Sequence, residues 1–336
     1  MGTKTPNLRT PSKIQIVQRT FLIDTDTASD DAVALIMALR SPAVDVAAIT
    51  VVAGNVPVEQ ATRNALYTAE LCASSVPIYS GEARPLLRQH QSAQWFHGRD
   101  GLGDQNYPAP ERKPESRHAV DAIVDVVSAN PGIVLVTLGP LTNVALALAR
   151  SPDIVKNVSR CVVMGGNPCT EGNVTPAAEY NMWVDPEAAR AVLRSGLPIE
   201  LVGWHLCRGE ANLSATDIKH VLSLDTELAR FAINCNRTAM EANRLQTGEI
   251  GICLPDPTAM AIALDPSIST RASRHYVDVE TDSELTRGMT VVDRLNVAGD
   301  ERNRPVWQPL LEKSPALVHW EIDIPRWKAL LYGLLI

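Results

Sequence analysis

The sequence is poor in several features that identify whole classes of protein. Aromatic residues make up 4% of its 336 residues, and its six cysteines are scattered without a single CxxC pair. Neither a disulfide framework nor a structural zinc site is therefore indicated, and reduced thiols in a cytoplasmic compartment are expected. The chain also has no run of eighteen apolar residues, so no membrane span is predicted.

Positive charge is scarce as well. Lys and Arg together number 31 against 38 Asp and Glu, which leaves a formal net charge of −7. A chain with this net charge lacks the positive electrostatic potential that attracts a nucleic-acid backbone, so we expect no nucleic-acid partner. The first residues are polar and lack the apolar segment of a signal peptide. We predict a flexible extension over residues 1–19 and one folded domain over residues 20–336.

Apolar, β-branched runs alternate with helical periodicity along the first two-thirds of the chain. This alternation is typical of parallel strands joined by crossover helices, and continuous apolar strands indicate burial on both sheet faces. We predict an α/β fold with an open, mostly parallel sheet flanked by helices. The predicted strands are Thr20–Ile23, Val46–Val51, Val76–Tyr79, Ile133–Leu138, Cys161–Met164 and Ile199–Val202. The predicted helices are Asp31–Leu39, Val58–Ala73, Ala119–Ala129, Leu141–Ala149, Pro186–Arg194, Ala215–Leu222, Thr226–Ala242 and Arg326–Leu331.

Four carboxylates fall within eight residues at the end of the first predicted strand: Asp24, Asp26, Asp30 and Asp31. Like charges this close repel unless a cation or hydrogen-bond donors offset them. Oxygen ligands without His or Cys suit a hard divalent ion such as Ca²⁺ or Mg²⁺. Helix capping is the alternative, and it accounts for the last two carboxylates but leaves the first two unexplained.

Polar side chains also follow other predicted strands, at the sheet edge where ligands bind in open α/β folds. Asn55 follows the second strand, and Asn173, Glu179 and Asn181 follow the fifth. Their donors and acceptors are of the kind that grip adjacent hydroxyl groups, and the last two share a face if that segment is extended.

Two further segments are candidates for the site. A Gly-rich loop over residues 95–104 carries His97 and could be a mobile lid, or else a plain surface loop. Downstream, Asp256 precedes an apolar helix, with Pro257 expected at the first helical position. An ordinary helix cap explains that Asp equally well.

Taken together, four segments resemble the inosine–uridine-preferring nucleoside hydrolase family. They are Asp24-Thr25-Asp26-(x)3-Asp30-Asp31, Gly139-Pro140-Leu141-Thr142-Asn143, Met164-Gly165-Gly166 with the run from Gly172 to Asn181, and Asp256-Pro257. The resemblance implies a catalytic α/β domain that hydrolyses the N-glycosidic bond of a ribonucleoside. It also implies a tightly held Ca²⁺, a small-molecule nucleoside as the partner, and a homodimer or homotetramer.

The resemblance further implies a role for individual residues. Asp26, Asp31, Asp256 and the main-chain carbonyl of Leu138 would bind the calcium, and Asp26 would be the general base towards a calcium-bound water. Met164 would lie under the sugar, His97 would lie near the base, and Asp24 would support the metal loop from behind. The residues implied to hold the ribose hydroxyls are Asp30, Asn55, Asn173, Glu179 and Asn181.

One position departs from the family pattern. Well-studied members place a His, which protonates the leaving base, immediately before the last metal-binding Asp, and this chain has Pro255 there. Activation of the leaving group would then come from His97, from His205, or from stacking on Trp95 or Trp204. Base specificity stays open, as does the choice between a hydrolase of common nucleosides and one of a modified nucleoside.

Three other functions fit parts of the sequence. A non-catalytic nucleoside- or ribose-binding protein would explain Pro255, although a retained Asp26 favours an enzyme. A haloacid-dehalogenase-like phosphatase wants Thr or Val where Ala28 stands, and an EF-hand calcium loop wants Gly where Ser29 stands.

Overall fold

The computed structural model describes residues 18–336. Its main sheet has eight strands in the order β3-β2-β1-β4-β5-β6-β10-β7, and β8 and β9 form a separate two-stranded sheet. The strands are β1 Arg19–Thr25, β2 Val44–Val51, β3 Ile78–Ser80, β4 Ile133–Thr137, β5 Val158–Met164, β6 Ile199–Val202, β7 Ser269–His275, β8 Val277–Val279, β9 Thr290–Val292 and β10 Ala316–Ile322.

Helices cover both faces of the main sheet, and two hydrophobic cores lie between them and the strands. The α-helices are α1 Ser29–Arg40, α2 Val58–Leu71, α3 Gln94–His97, α4 Ala119–Ala129, α5 Thr142–Arg150, α6 Tyr180–Val184, α7 Pro186–Leu193, α8 Ala215–Ser223, α9 Glu227–Asn234, α10 Arg237–Thr247, α11 Pro255–Leu264, α12 Arg304–Leu311 and α13 Ile324–Leu334. Within residues 18–336, no helix is both long and apolar enough to cross a membrane.

β1 lies in the middle of the sheet and pairs in parallel with β2 and with β4. Phe21, Leu22 and Ile23 are wholly buried, because side chains on both faces of this strand meet packed helices. Every neighbouring pair from β3 to β10 along the sheet is parallel, and only β7 runs antiparallel, against β10. The predicted fold, an open and mostly parallel sheet flanked by helices, is confirmed.

The helix predicted over Thr226–Ala242 is wrong in one respect, because the chain forms two helices there, α9 and α10. The break lies at Asn236, whose buried amide nitrogen donates to the main-chain oxygens of Ser29, 3.3 Å away, and Ala232, 2.9 Å away. Asn is a poor helix former because its side chain competes for main-chain partners. The break turns α10 towards the carboxyl end of the sheet.

The start of α11 also differs from the prediction. Pro255, and not Pro257, occupies the first helical position, which suits a residue without a main-chain N–H. Asp256 therefore lies inside the first turn and is not the capping residue. The sequence predicts a flexible extension over residues 1–19. Residues 1–17 lie outside the described residues, and Arg19 already belongs to β1.

Candidate active site

A cleft opens at the carboxyl ends of the parallel strands. The seven residues predicted to bind substrate all line it: Asp30, Asn55, His97, Met164, Asn173, Glu179 and Asn181. They come from five segments far apart in sequence, and the strand order brings those segments side by side. The placement agrees with the rule that open sheets bind ligands outside their strand ends.

Four buried carboxylates, which we call the acidic group, lie at this cleft: Asp26, Asp30, Asp31 and Asp256. Oxygen atoms of the last three lie within 4.8 Å of one another. The sequence prediction paired Asp26, rather than Asp30, with the two other carboxylates. The chain reaches this arrangement because α1 and α11 each begin with carboxylates in their first turn, and the two helices pack against each other.

Asp26 lies between two glycines that leave no room for a side chain. A Cβ atom added to Gly54 would be 2.0 Å from Oδ2 of Asp26, and one added to Gly139 would be 2.6 Å from Oδ1. Oδ2 accepts a hydrogen bond of 2.6 Å from the main-chain N–H of Asn55. Oδ1 is buried and has no hydrogen-bond partner among the described residues. One oxygen of Asp26 is thus held and the other is free for a ligand.

Asp31 and the carbonyl of Leu138 are fixed by different contacts. Asp31 accepts hydrogen bonds from the Thr25 hydroxyl at 2.5 Å, from the N–H of Ala28 at 3.0 Å, and from the side-chain amide of Asn55 at 3.3 Å. The oxygen of Leu138 accepts from the amide nitrogen of Asn181 at 2.7 Å. These contacts fix the oxygen atoms in place before any ligand binds.

The electrostatics of the acidic group are unfavourable as they stand. The pKa values of Asp26, Asp256 and Asp30 are all raised, and that of Asp30 rises to about 8. Burial is the largest cause, and repulsion from Asp31 is the second. Oδ1 of Asp30, like Oδ1 of Asp26, is buried without a partner among the described residues. A hard cation would offset this repulsion and satisfy these oxygens, so the residues present fit such an ion.

Asp24 lies beside the acidic group and is held differently. Its Oδ1 accepts hydrogen bonds from the Thr50 hydroxyl at 2.6 Å and from the amide of Asn143 at 2.9 Å. Burial, only partly opposed by these hydrogen bonds, raises its pKa to about 7. The contacts join β1, β2 and the start of α5, which agrees with a supporting role.

Glu179 and Asn181 would share a face only if their segment were extended, and the structure shows the start of a helix there instead. Glu179 caps α6 and accepts hydrogen bonds from the N–H groups of Asn181, Gly166 and Met182 at 2.9, 2.8 and 3.2 Å. Burial raises its pKa although these donors oppose the shift. Nearby, the side-chain oxygen of Asn173 accepts from the N–H of Tyr180 at 2.9 Å.

His97 ends the short helix α3, where the sequence suggested only a loop. Its Nδ1 shares a hydrogen bond of 2.8 Å with the hydroxyl of Ser29 and lies 3.8 Å from Oδ1 of Asp30. Burial lowers the pKa of His97 to about 3, so the ring is neutral near pH 7. His205, the other candidate acid, is not among the residues that line the cleft.

The polar stretch Arg237–Ile252, which ends in Gly248 and Gly251, predicted a flexible wall of the site but not the individual residues that form it. Four residues at the start and along one face of α10 line the cleft, and we call them the α10 wall: Asn236, Ala239, Asn243 and Gln246. Oδ1 of Asn236 and Nδ2 of Asn243 are buried without a partner among the described residues. Their spacing of three and four residues was the available signal, but it is shared by any amphipathic helix.

Aromatic side chains complete the lining. Trp204 follows β6, and the guanidinium carbon of Arg208 lies 4.4 Å from the centre of its ring. Trp95 and Phe96 come from α3, where Trp95 is 61% exposed and their rings meet edge to face. Trp95 and Trp204 were both predicted as candidates for stacking against a base.

Comparison with known proteins assigns these features to a family. The family model described as inosine-uridine preferring nucleoside hydrolase matches residues 21–323. The pyrimidine-specific ribonucleoside hydrolase RihA of Salmonella enteritidis is 37% identical over 289 residues, which cover 85% of this chain and 92% of that protein.

Two solved structures are similar over almost the whole chain. A plant nucleoside hydrolase, PpNRh1, superposes with a TM-score of 0.88 at 32% identity, covering 94% of this chain and 98% of its own. A purine-preferring ribonucleoside hydrolase from Gardnerella vaginalis gives 0.83 at 30% identity, covering 94% and 99%.

Proposed function

Because this chain belongs to the inosine-uridine preferring nucleoside hydrolases, metal-dependent enzymes that hydrolyse the N-glycosidic bond of ribonucleosides, we propose that it uses a bound Ca²⁺ and Asp26 as general base. The observation that carries the proposal is the acidic group. Oxygen atoms of Asp30, Asp31 and Asp256 lie within 4.8 Å of one another, and Oδ1 of Asp26 and Oδ1 of Asp30 are buried without a hydrogen-bond partner among the described residues. Oxygen-only ligands favour a hard cation over zinc or copper.

Asp26, Asp31, Asp256 and the Leu138 carbonyl would hold the ion, and Asp30 lies close enough to Asp31 and Asp256 to join them. A bound Ca²⁺ supplies charge that lowers the pKa of water and attracts hydroxyl oxygens. Asp26 accepts the proton of the attacking water through the oxygen that Asn55 does not hold. The fixed position of this carboxylate favours proton transfer in the transition state.

The other predicted residues bind and orient the sugar. Met164 forms an apolar surface beneath the sugar ring. Five other residues offer hydrogen-bond donors and acceptors to the ribose hydroxyls: Asp30, Asn55, Asn173, Glu179 and Asn181. Many polar contacts of this kind can stabilise an oxocarbenium-like transition state more than the ground state.

We propose a purine as the preferred base. Pro255 cannot donate a proton, and the neutral His97 is bound to Ser29. Trp204 and Trp95 offer surfaces for stacking, which eases protonation of a purine by solvent, and the α10 wall offers amides to its polar edge. The relatives differ in base preference, since RihA is a pyrimidine-specific enzyme and the Gardnerella enzyme is purine-preferring. Pro255 keeps a modified nucleoside as the second candidate.

The test is release of free ribose from a panel of purine, pyrimidine and modified nucleosides, before and after chelation and with Ca²⁺ restored. We expect calcium-dependent release, fastest with purines. Chelation should also lower the melting temperature, because an ion present at 100 times its Kd stabilises a protein by about 2.7 kcal/mol. Binding of nucleosides without any release would point to the non-catalytic binding protein, and release that ignores calcium would reject the metal assignment.

The resemblance leads us to propose a homodimer or homotetramer, and the scattered, unpaired cysteines lead us to propose a cytoplasmic location. Light scattering of the purified chain would check the first, since a monomer at working concentration contradicts it. Imaging of a tagged chain in its native cell would check the second.

A further inference from the structure

Two cysteine side chains meet beside the cleft. The sulfur atoms of Cys207 and Cys253 lie 3.2 Å apart, although 46 positions separate the residues in the chain. A disulfide bond requires a distance of about 2.05 Å, so the sulfurs need to approach by only about 1 Å. Both thiols are free in this structure.

The two thiols differ in access. Cys253 is partly buried and lines the cleft, whereas Cys207 is 1% exposed. The sulfur of Cys207 donates a hydrogen bond of 2.9 Å to the main-chain oxygen of Trp204. A small oxidant that enters the cleft therefore reaches Cys253 first and finds the second thiol directly behind it.

We propose that Cys207 and Cys253 are a modification site, which forms a reversible disulfide with a small disulfide oxidant of the glutathione disulfide type. The Cys253 thiolate attacks one sulfur of the oxidant, which forms a mixed disulfide and releases one thiol. The Cys207 sulfur then attacks the sulfur of Cys253 and releases the second thiol. Two protein thiols are oxidised, one disulfide is reduced, and the two released thiols carry the two protons away.

The position of the pair connects this bond to the cleft. Cys207 ends the short helical turn that begins at Trp204, and Cys253 lies three residues before Asp256. A disulfide would tie the segment that carries Trp204 to the segment that leads into the acidic group. Because small displacements of catalytic groups are costly, we expect kcat/KM to fall about tenfold on oxidation and to recover with reductant.

The test treats the full chain, loaded with Ca²⁺, with oxidised glutathione, followed by alkylation and peptide mapping without reduction. The wild type should yield a peptide pair joined through Cys207 and Cys253, with neither an alkyl group nor glutathione on these two residues. Cys207→Ser keeps a donor for the Trp204 oxygen, so it should retain basal activity. It should stop at a glutathione adduct on Cys253.

Cys169→Ser is the matched control, because Cys169 is exposed and its removal should leave the cross-link unchanged. Oxidation that stops at single glutathione adducts in the wild type would overturn the proposal. So would an unchanged kcat/KM in cross-linked protein, or the same reversible loss of activity in Cys207→Ser. The peptide map does not depend on which nucleoside is cleaved, so it tests this site even if the proposed reaction is wrong.

Discussion

The acidic group and the α10 wall border the same cleft but offer it different polar groups. The carboxylate of Asp26 lies between Gly54 and Gly139, and that of Asp31 accepts three hydrogen bonds. In the α10 wall, Asn236 and Asn243 each keep one buried amide atom without a partner among the described residues. The acidic group also keeps two unpartnered atoms, Oδ1 of Asp26 and Oδ1 of Asp30, but these are carboxylate oxygens that suit a cation, whereas the free amide atoms of the α10 wall suit the polar edge of a base. We therefore expect the acidic group to govern rate and the α10 wall to govern base choice.

The largest expected effect comes from Asp26→Asn. The amide keeps the size of the side chain but cannot accept the proton or supply charge to the ion, so kcat/KM should fall about 10³-fold, or ~4 kcal/mol. Ribose release and calcium titration by calorimetry would measure the change. Asp45→Asn, at an exposed position of β2, should leave both readouts intact. Activity near wild type in Asp26→Asn would remove this residue from the mechanism.

Gly54→Ala tests whether the acidic group is fixed by close packing. The new methyl group would meet Oδ2 of Asp26 at 2.0 Å and push the carboxylate from its place, which should lower kcat/KM about 10²-fold. The control is Gly299→Ala, because nothing lies within 4 Å of a Cβ there. Steady-state kinetics of both variants would measure the effect. Equal activities would mean that the carboxylate of Asp26 can move without loss of kcat/KM, so close packing does not fix it.

Asn243→Ala tests the α10 wall. Loss of one hydrogen bond to the base should lower kcat/KM about tenfold, or ~1.4 kcal/mol, for nucleosides whose base can pair with this amide. Nucleosides without that group should be affected less, so the ranking across the panel should change. Leu245→Ala, which removes a 71% exposed side chain of the same helix, is the control. A uniform loss on all nucleosides would assign Asn243 a structural role instead.

Trp95→Ala should have the smallest effect. The ring is 61% exposed, so it contributes little desolvated stacking surface, and we expect less than a threefold rise in KM. Trp204→Phe is the informative partner, because Trp204 is buried and packs against Arg208. Measurement of KM for a purine nucleoside would rank the two variants. A larger rise in KM for Trp95→Ala than for Trp204→Phe would contradict the expectation that Trp204 contributes more to stacking.

The sequence predicted the acidic group better than the α10 wall, and the reason is physical. Asp26, Asp30 and Asp31 are close in sequence at a strand end, where local charge repulsion is itself a signal. Asn236 and Asn243 are ordinary polar helix residues, and only the break at Asn236 turns their face towards the cleft. That break depends on a contact with Ser29, more than 200 positions away, which no local pattern contains.

The strands were easier to predict than the ends of the short helices. Ile133–Val136 of β4 and Phe21–Ile23 of β1 are continuous apolar runs, and their burial on both faces leaves few alternatives. The sequence left the conformation around Glu179 open, and the structure shows that its carboxylate accepts three main-chain hydrogen bonds and caps α6. Capping of this kind depends on the position of Gly166, which the rest of the fold determines.

The position of β10 has a consequence for how the chain is assembled during synthesis. β10 lies between β6 and β7 in the sheet, although it follows β7 by about forty residues in sequence. While a ribosome is still making the segment between them, the edge of β6 has no neighbour on that side, and β7 has no strand to join. α13, which buries Trp327 and packs against α11, is made later still. The helix that carries Asp256 thus gains the support of α13 only when that helix emerges, so a product that stalls before it should be inactive and prone to aggregation through the open edge of β6.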